Sequence, residues 1–264
     1  MTSVPDAYYL PTADPDVFEA TPNTIGPWDP QAQHGGPPSA LITRAIERLP
    51  SSIAGPSQLA RLTVEILGPV GLGEMRVRAE VTRPGRAVEL VDAELAAGGR
   101  VALRARAWRI RTAELTLPEL GPHPVAPPVP EQPSTFSTDR WGRGYLGTVD
   151  FRFVEGHIER PGPAAAWTRL RVPVVDGEEP SGTQRLVAVA DSGSGVSSML
   201  DFQNWLFINT DLSLHLHRLP DGDWIYMRAQ STLEPLGVGV AESEFFDARG
   251  RVARGAQALL VGRR

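Results

Sequence analysis

The sequence predicts an α+β protein made of two copies of one unit, each a helix followed by a long antiparallel meander. Three observations carry that expectation. Gly-Arg-Val-Ala occurs at Gly99 to Ala102 and again at Gly250 to Ala253, an offset of 151 in 264 residues, and strand-like text follows both copies. Leu62-Thr-Val-Glu-Ile66 matches Leu212-Ser-Leu-His-Leu216 at an offset of 150, and a period shared by distant segments reads as a duplicated domain. Seven prolines between Pro118 and Pro133 separate the copies, in a stretch that reads as an extended, semi-rigid spacer. The expected units are residues 1–112 and 147–264, with 113–146 as linker.

In the first unit a short strand is expected over 17–20, then a helix within 34–49. Leu41, Ala45 and Leu49, with Ile42 and Ile46 beside them, make its apolar stripe. Pro37 and Pro38 suit a first helical turn, where a missing N–H costs nothing, and Pro50 stops the helix. Strand signals follow over 61–70, 74–82, 87–96 and 100–110, parted by turns at Gly71-Leu-Gly73, Pro84-Gly85 and Gly98-Gly99. The second unit repeats the order, with strands over 149–154 and 165–172, a helix over 183–199, and strands over 206–218, 224–232, 237–246 and 251–261. Its helix carries Asp191-Ser-Gly-Ser-Gly-Val-Ser-Ser198. Each glycine there weakens a helix by roughly 1 kcal/mol against alanine, so the run implies close backbone approach to the sheet or a ligand.

Composition narrows the function. With 41% hydrophobic residues, each unit of about 110–120 residues has material for a core. Cysteine is absent, which removes disulfides, thiolate metal sites and a Cys nucleophile. No apolar run approaches the roughly 20 residues of a membrane span, and the opening Met1-Thr-Ser-Val-Pro5 lacks a signal pattern, so a soluble cytoplasmic protein is expected. All 26 basic residues are arginine, which reads as a GC-rich genome, and the net charge of -5 argues against a nucleic-acid binder.

Three segments in this order, His34-Gly-Gly-Pro-Pro-Ser-Ala40, Asn209-Thr-Asp-Leu-Ser-Leu-His-Leu-His-Arg218 and Asp247-Ala-Arg-Gly-Arg-Val-Ala-Arg-Gly-Ala-Gln257, resemble the acyl-CoA thioesterase II family. The resemblance spans nearly the whole chain, least in the linker. It implies a double hotdog fold, two tandem domains each with a curved antiparallel sheet wrapped around a helix, and hydrolysis of acyl-CoA by a water held by an Asp, a Thr and a Gln. The Asp falls on Asp191 and the Gln on Gln257, while the Thr position falls on Asn209 rather than Thr210. Asparagine keeps a hydrogen-bonding side chain but replaces the hydroxyl with an amide.

Each of these residues has a plainer reading. Asp191 alone reads as a solvated helix residue, although small neighbours clear space beside it. Gln257 shares a strand face with Leu259 and Val261, where a buried amide needs a partner for structural or catalytic reasons alike. Alternation places Asn209 with Asp211, Ser213, His215 and His217, opposite the leucines. His215 and His217 invite a metal reading, but no third ligand is near, and a solvated or interface pair is favoured. His34 is either packing at a helix start or a contact to the thioester or its water. Gly35 and Gly36 either let the helix approach the sheet or present unpaired N–H groups to a developing oxyanion. Arg106, at the place matching Gln257, implies no equivalent water site in the first unit. No cofactor is implied, since a thiolate leaves readily without a metal. Arg83, Arg86, Arg140 and Arg143 are candidates for the CoA phosphates; the two halves are expected to pair their sheets, placing clefts between them, and a homo-oligomer is compatible with the sequence. Two alternatives stand beside hydrolysis. One is a non-catalytic acyl-thioester binder, favoured by Asn209. The other is an enoyl-CoA hydratase, disfavoured because no His follows Asp191 closely.

Overall fold

A computed structural model describes residues 6–118, 121, 123–137 and 144–264. Its strands are β1 (Tyr9–Pro11), β2 (Val17–Ala20), β3 (Ser57–Ile66), β4 (Gly73–Arg83), β5 (Val88–Ala97), β6 (Arg100–Arg111), β7 (Val149–Glu155), β8 (Ala164–Leu170), β9 (Trp205–Asn209), β10 (Asp211–Leu216), β11 (Ile225–Glu234), β12 (Val238–Asp247) and β13 (Gly250–Arg263). The helices are α1 (Gly36–Arg48), α2 (Gly182–Ala190) and the single turn α3 (Gly193–Val196). The fold is a double hotdog. One antiparallel sheet runs β1-β2-β4-β5-β6-β3-β10-β13-β12-β11-β8-β7, with β9 added beside β13. α1 and α2 pack on each other inside the curve. One apolar cluster, from Tyr8 through Leu41, Leu62, Leu186 and Leu214 to Ala253, joins both halves.

The strand order is palindromic about β3–β10, where Thr63 faces Ser213 and Ser213 Oγ donates to Thr63 Oγ1 at 3.3 Å. Those two residues are 150 apart, so the repeat maps onto itself at this rung. The same offset governs the rest of the sheet. Thr63 pairs with Arg106 as Ser213 pairs with Ala256, and Val91 pairs with Ala107 as Ala241 pairs with Gln257. The expectation that Arg106 is the counterpart of Gln257 is therefore corrected: the counterpart is Ala107. The shared Gly-Arg-Val-Ala letters sit one place apart in the two hairpins. Gly99 is the second turn residue between Ala97 and Arg100, whereas Gly250 already pairs with Asp247 as the first residue of β13. Gly98 and Gly99 hold φ of 57° and 76°, as a two-residue turn that keeps the strand twist requires.

Three further expectations change. The strand over 206–218 is broken at Thr210, the counterpart of the bulge at Ala60 between Leu59 and Arg61 in β3. An extra residue in a strand reverses which side chains face inward. Asn209, paired with buried Leu259, therefore lies on the inner face with Leu212 and Leu214, not with Asp211, Ser213 and His215. The helix over 183–199 stops at Ala190, turns at Asp191-Ser192 and resumes as α3, where Gly193 lies so close to the sheet that a Cβ would meet Ser243 Oγ at 2.7 Å. The proline-rich stretch is not a free spacer. Its Pro127 and Pro130 carbonyls accept from Trp167 Nε1 and Arg152, and Ala126 and Val129 pack on Trp167, Tyr226 and Phe246.

Candidate active site

Asp191 caps α2 and is buried at 5% exposure between elements from both halves. Asn209 Nδ2, at the end of β9, donates to Asp191 Oδ1 at 2.8 Å and to the Asp211 carbonyl at 3.2 Å. Gln257, in mid-β13 and 2% exposed, donates through Nε2 to the Asp191 carbonyl at 3.1 Å and to Oδ1 at 3.4 Å, and its Oε1 accepts from Ser194 N–H. The three side chains named from the sequence thus meet on one inner surface. Gln257 has spent its amide on Asp191 and α3, so it positions the carboxylate. Asn209 Oδ1 and Asp191 Oδ2 remain without a hydrogen-bond donor from the amides.

His34, Gly35 and Gly36 bring the first half to the same place. The loop before α1 is held by His34 N–H to the Thr24 carbonyl and by Tyr9 Oη donating to Gln33 Oε1. His34 Nδ1 then accepts from Gly36 N–H at 3.0 Å and lies 3.2 Å from Asp191 Oδ2. Burial pushes the imidazole below its ordinary value, while the Asp191 carboxylate opposes that shift. The Gly36 bond occupies the Nδ1 lone pair of a neutral ring, which puts the ring proton on Nε2. Both glycines are sterically required. A Cβ on Gly35 would stand 2.7 Å from Asp191 Oδ2, and one on Gly36 would stand 2.1 Å from the Ala188 carbonyl. With Gly36 N–H committed to His34 and no N–H on Pro37 or Pro38, the Gly35 N–H is the helix-start amide that meets no acceptor among the described residues.

One participant lay hidden in the proline-rich connection. Tyr145 stacks on His34 at 3.9 Å between ring centres, and its hydroxyl donates to the Ala188 carbonyl and meets Ser192 Oγ, both at 2.9 Å. Burial keeps this phenol well above its usual value, hence protonated. Nothing in the spacing of Tyr145 marks it.

A cavity of about 470 Å³ opens beside these groups, between the chain following β3 (66–70) and β9 where the two part. Its walls include Trp28, Leu146, Ile158, Val196, Phe202 and Phe207, so an apolar chamber adjoins a small polar centre, the usual composition of a ligand site. The other candidates lie elsewhere. Arg106 is on the outer sheet face, paired to Asp92 at 2.6 Å in a concavity of mixed charge. Arg83 stacks over Trp108, and Arg140 and Arg143 fall outside the described residues. His215 and His217 are exposed, and among the described residues no group of three His, Cys, Asp or Glu is placed to hold a metal. No helix among them is long and apolar enough to cross a membrane.

Two family profiles match the chain. Residues 24–110 match the acyl-CoA thioesterase N-terminal domain and residues 123–261 the acyl-CoA thioesterase C-terminal domain. The chain belongs to the acyl-CoA thioesterase family. Solved structures agree on the fold of this thioesterase. A thioesterase II candidate from Thermobifida fusca YX superposes with a TM-score of 0.73 at 21% identity, over 98% of this chain and 96% of that one. A hot dog fold protein from Alicyclobacillus acidocaldarius gives 0.71 at 17% identity, over 97% of each. An acyl-CoA thioesterase II from Mycobacterium marinum gives 0.66 at 15%, over 96% and 94%. Among curated proteins none matches the thioesterase by sequence.

Proposed function

We propose that the protein hydrolyses acyl-CoA thioesters to free acid and CoA. The observation that supports this best is the buried Asp191 carboxylate, held by Asn209 and Gln257 through one oxygen and left open at the other, at the edge of an apolar cavity. Water bound by Asp191 Oδ2 and Asn209 Oδ1 attacks the thioester carbon. As the O–C bond forms, the water proton passes to the Asp191 carboxylate, while the His34 Nδ1 lone pair stays with the Gly36 N–H. The carbonyl oxygen becomes an anion and is received by Gly35 N–H at the positive end of α1. Collapse breaks the C–S bond, and the CoA thiolate takes up the proton. Tyr145 holds the imidazole plane throughout.

Free-thiol release from a medium-chain acyl-CoA tests the reading: wild type turns over, and Asp191→Asn falls by about 10²-fold or more. Stoichiometric retention of acyl-CoA without release makes the protein a binder instead. One observation favours a second reading, hydration of an enoyl thioester. The imidazole that is missing after Asp191 in sequence arrives from the other half at 3.2 Å. Loss of enone absorbance from crotonyl-CoA without free thiol would select it.

A further inference from the structure

Resting on the hydrolase reading, the cavity carries a statement about the acyl group. We infer that Trp28, Phe202 and Phe207 form the end wall of the acyl chamber and limit it to chains of about six to ten carbons. Asn209 and Phe207 are two residues apart on the inner face of β9, so the Phe207 side chain starts roughly 7 Å along the strand from that of Asn209. Its ring is met by Phe202 at 4.5 Å (65°) and by Trp28 at 5.0 Å (84°), and Trp28 and Phe202 touch each other at 5.0 Å. Each ring therefore contacts both others, in tilted and edge-on poses that do not slide apart cheaply.

The triad is also tied down. Phe207 and Phe202 are buried, and Arg264 binds Phe202 and Trp28 by their backbones, donating to the Phe202 carbonyl at 2.9 Å and to the Trp28 carbonyl at 3.2 Å. That guanidinium spans the loop before α1 and the loop before β9, so the wall is made by both halves at once. An extended chain advances roughly 1.2 Å per bond. The roughly 7 Å to Phe207, plus one further ring of about 5 Å, sets the stated length. The chamber's volume of about 470 Å³ is in the range of small ligand sites. Gly195 shapes the same end: a Cβ there would sit 3.9 Å from Phe202, in ordinary contact, so the position can accept a side chain that fills the chamber.

The test runs turnover and binding side by side. Thiol release is measured with hexanoyl-, decanoyl- and palmitoyl-CoA, and calorimetry measures binding of the matching S-alkyl-CoA thioethers, which cannot be hydrolysed. Wild type should prefer decanoyl over palmitoyl by at least about tenfold in kcat/KM, the scale on which an apolar pocket discriminates by size. Trp28→Ala and Phe202→Ala should each erase most of that preference, and Gly195→Val should move the optimum toward hexanoyl, with circular dichroism confirming the fold. Equal use of palmitoyl and decanoyl by wild type, or an unchanged ratio in all three variants, overturns the wall. A cut-off in thioether binding with no turnover of any thioester would instead sink the hydrolase reading and leave the wall standing.

Discussion

Asp191 turns from a surface-like residue in the sequence into a buried carboxylate held through one oxygen by two amides, and its neighbours set how each substitution should read out. Asp191→Asn is nearly isosteric, so its loss of about 10²-fold or more reports chemistry rather than packing. Gln257→Ala should cost the rate less but the fold more, because it strands the buried Ser194 N–H, a penalty of about 1–3 kcal/mol visible as a lower Tm. Asn209→Thr, which supplies the Thr that the resemblance implies at this place, should keep or raise turnover; a fall to the level of Asp191→Asn would show that the amide itself is needed. His34 adds a pH dependence. Its folded value is depressed by burial, so the unfolded chain takes the proton first. Stability is then complete above about 6.5 and is lost as the pH falls below it. Turnover should fall only at lower pH, below the depressed value of the folded ring, where a protonated imidazole would bind the Asp191 carboxylate as an ion pair. Thermal melts from pH 8 to 5.5 should steepen in wild type relative to His34→Asn, and matching slopes would remove His34 from the pH response.

At the scale of elements, α1 shows how the far end of the site-bearing helix is secured. Arg109 on β6 donates to the Leu49 carbonyl at 2.8 Å, closing the helix C-terminus, and pairs with Glu89 at 2.6 Å. Burial alone would raise the Glu89 carboxyl, yet bonds from Ser52 and Ser51 and the Arg109 charge hold it below its usual value. Its contribution is present above the free glutamate value and is lost as the pH falls through the folded one. Glu89→Gln should lower stability by about 3 kcal/mol, since it leaves the buried Arg109 charge without its counter-charge, and urea unfolding at pH 7 measures this. The elements also show what the sequence could and could not reveal. Helix α1, with its two prolines and its stripe of Leu41 and Ile42, and the hairpins of β4–β6 were legible because their signals are local. Asn209's face was not, because a single extra residue at Thr210 reverses alternation and leaves no mark in the pattern. Nor was the pairing of His34 with Asp191, 157 positions apart, or the role of Tyr145, since only tertiary packing brings them together. The repeat itself was visible, while its register in the hairpin slipped by one because four identical letters outweighed the geometry of the turn.

For the whole molecule, the shared core from Tyr8 to Ala253 predicts one cooperative unfolding transition, with tryptophan fluorescence and far-UV circular dichroism coinciding in urea. Two separated transitions would mean that the halves are held together only at the β3–β10 seam. The palindromic sheet has a further consequence. In two identical separate chains related by such an axis, every substitution is made twice, once at each symmetric place. Joined in one polypeptide, it is made once. Leu59 and Ala107, both buried, occupy the places that mirror Asn209 and Gln257. One side of the seam was thus free to keep greasy, self-satisfied packing while the other took on buried amides and a carboxylate. The desolvation of those polar groups is incurred on one side alone, and the silent half acts as the scaffold that lets its twin tolerate it.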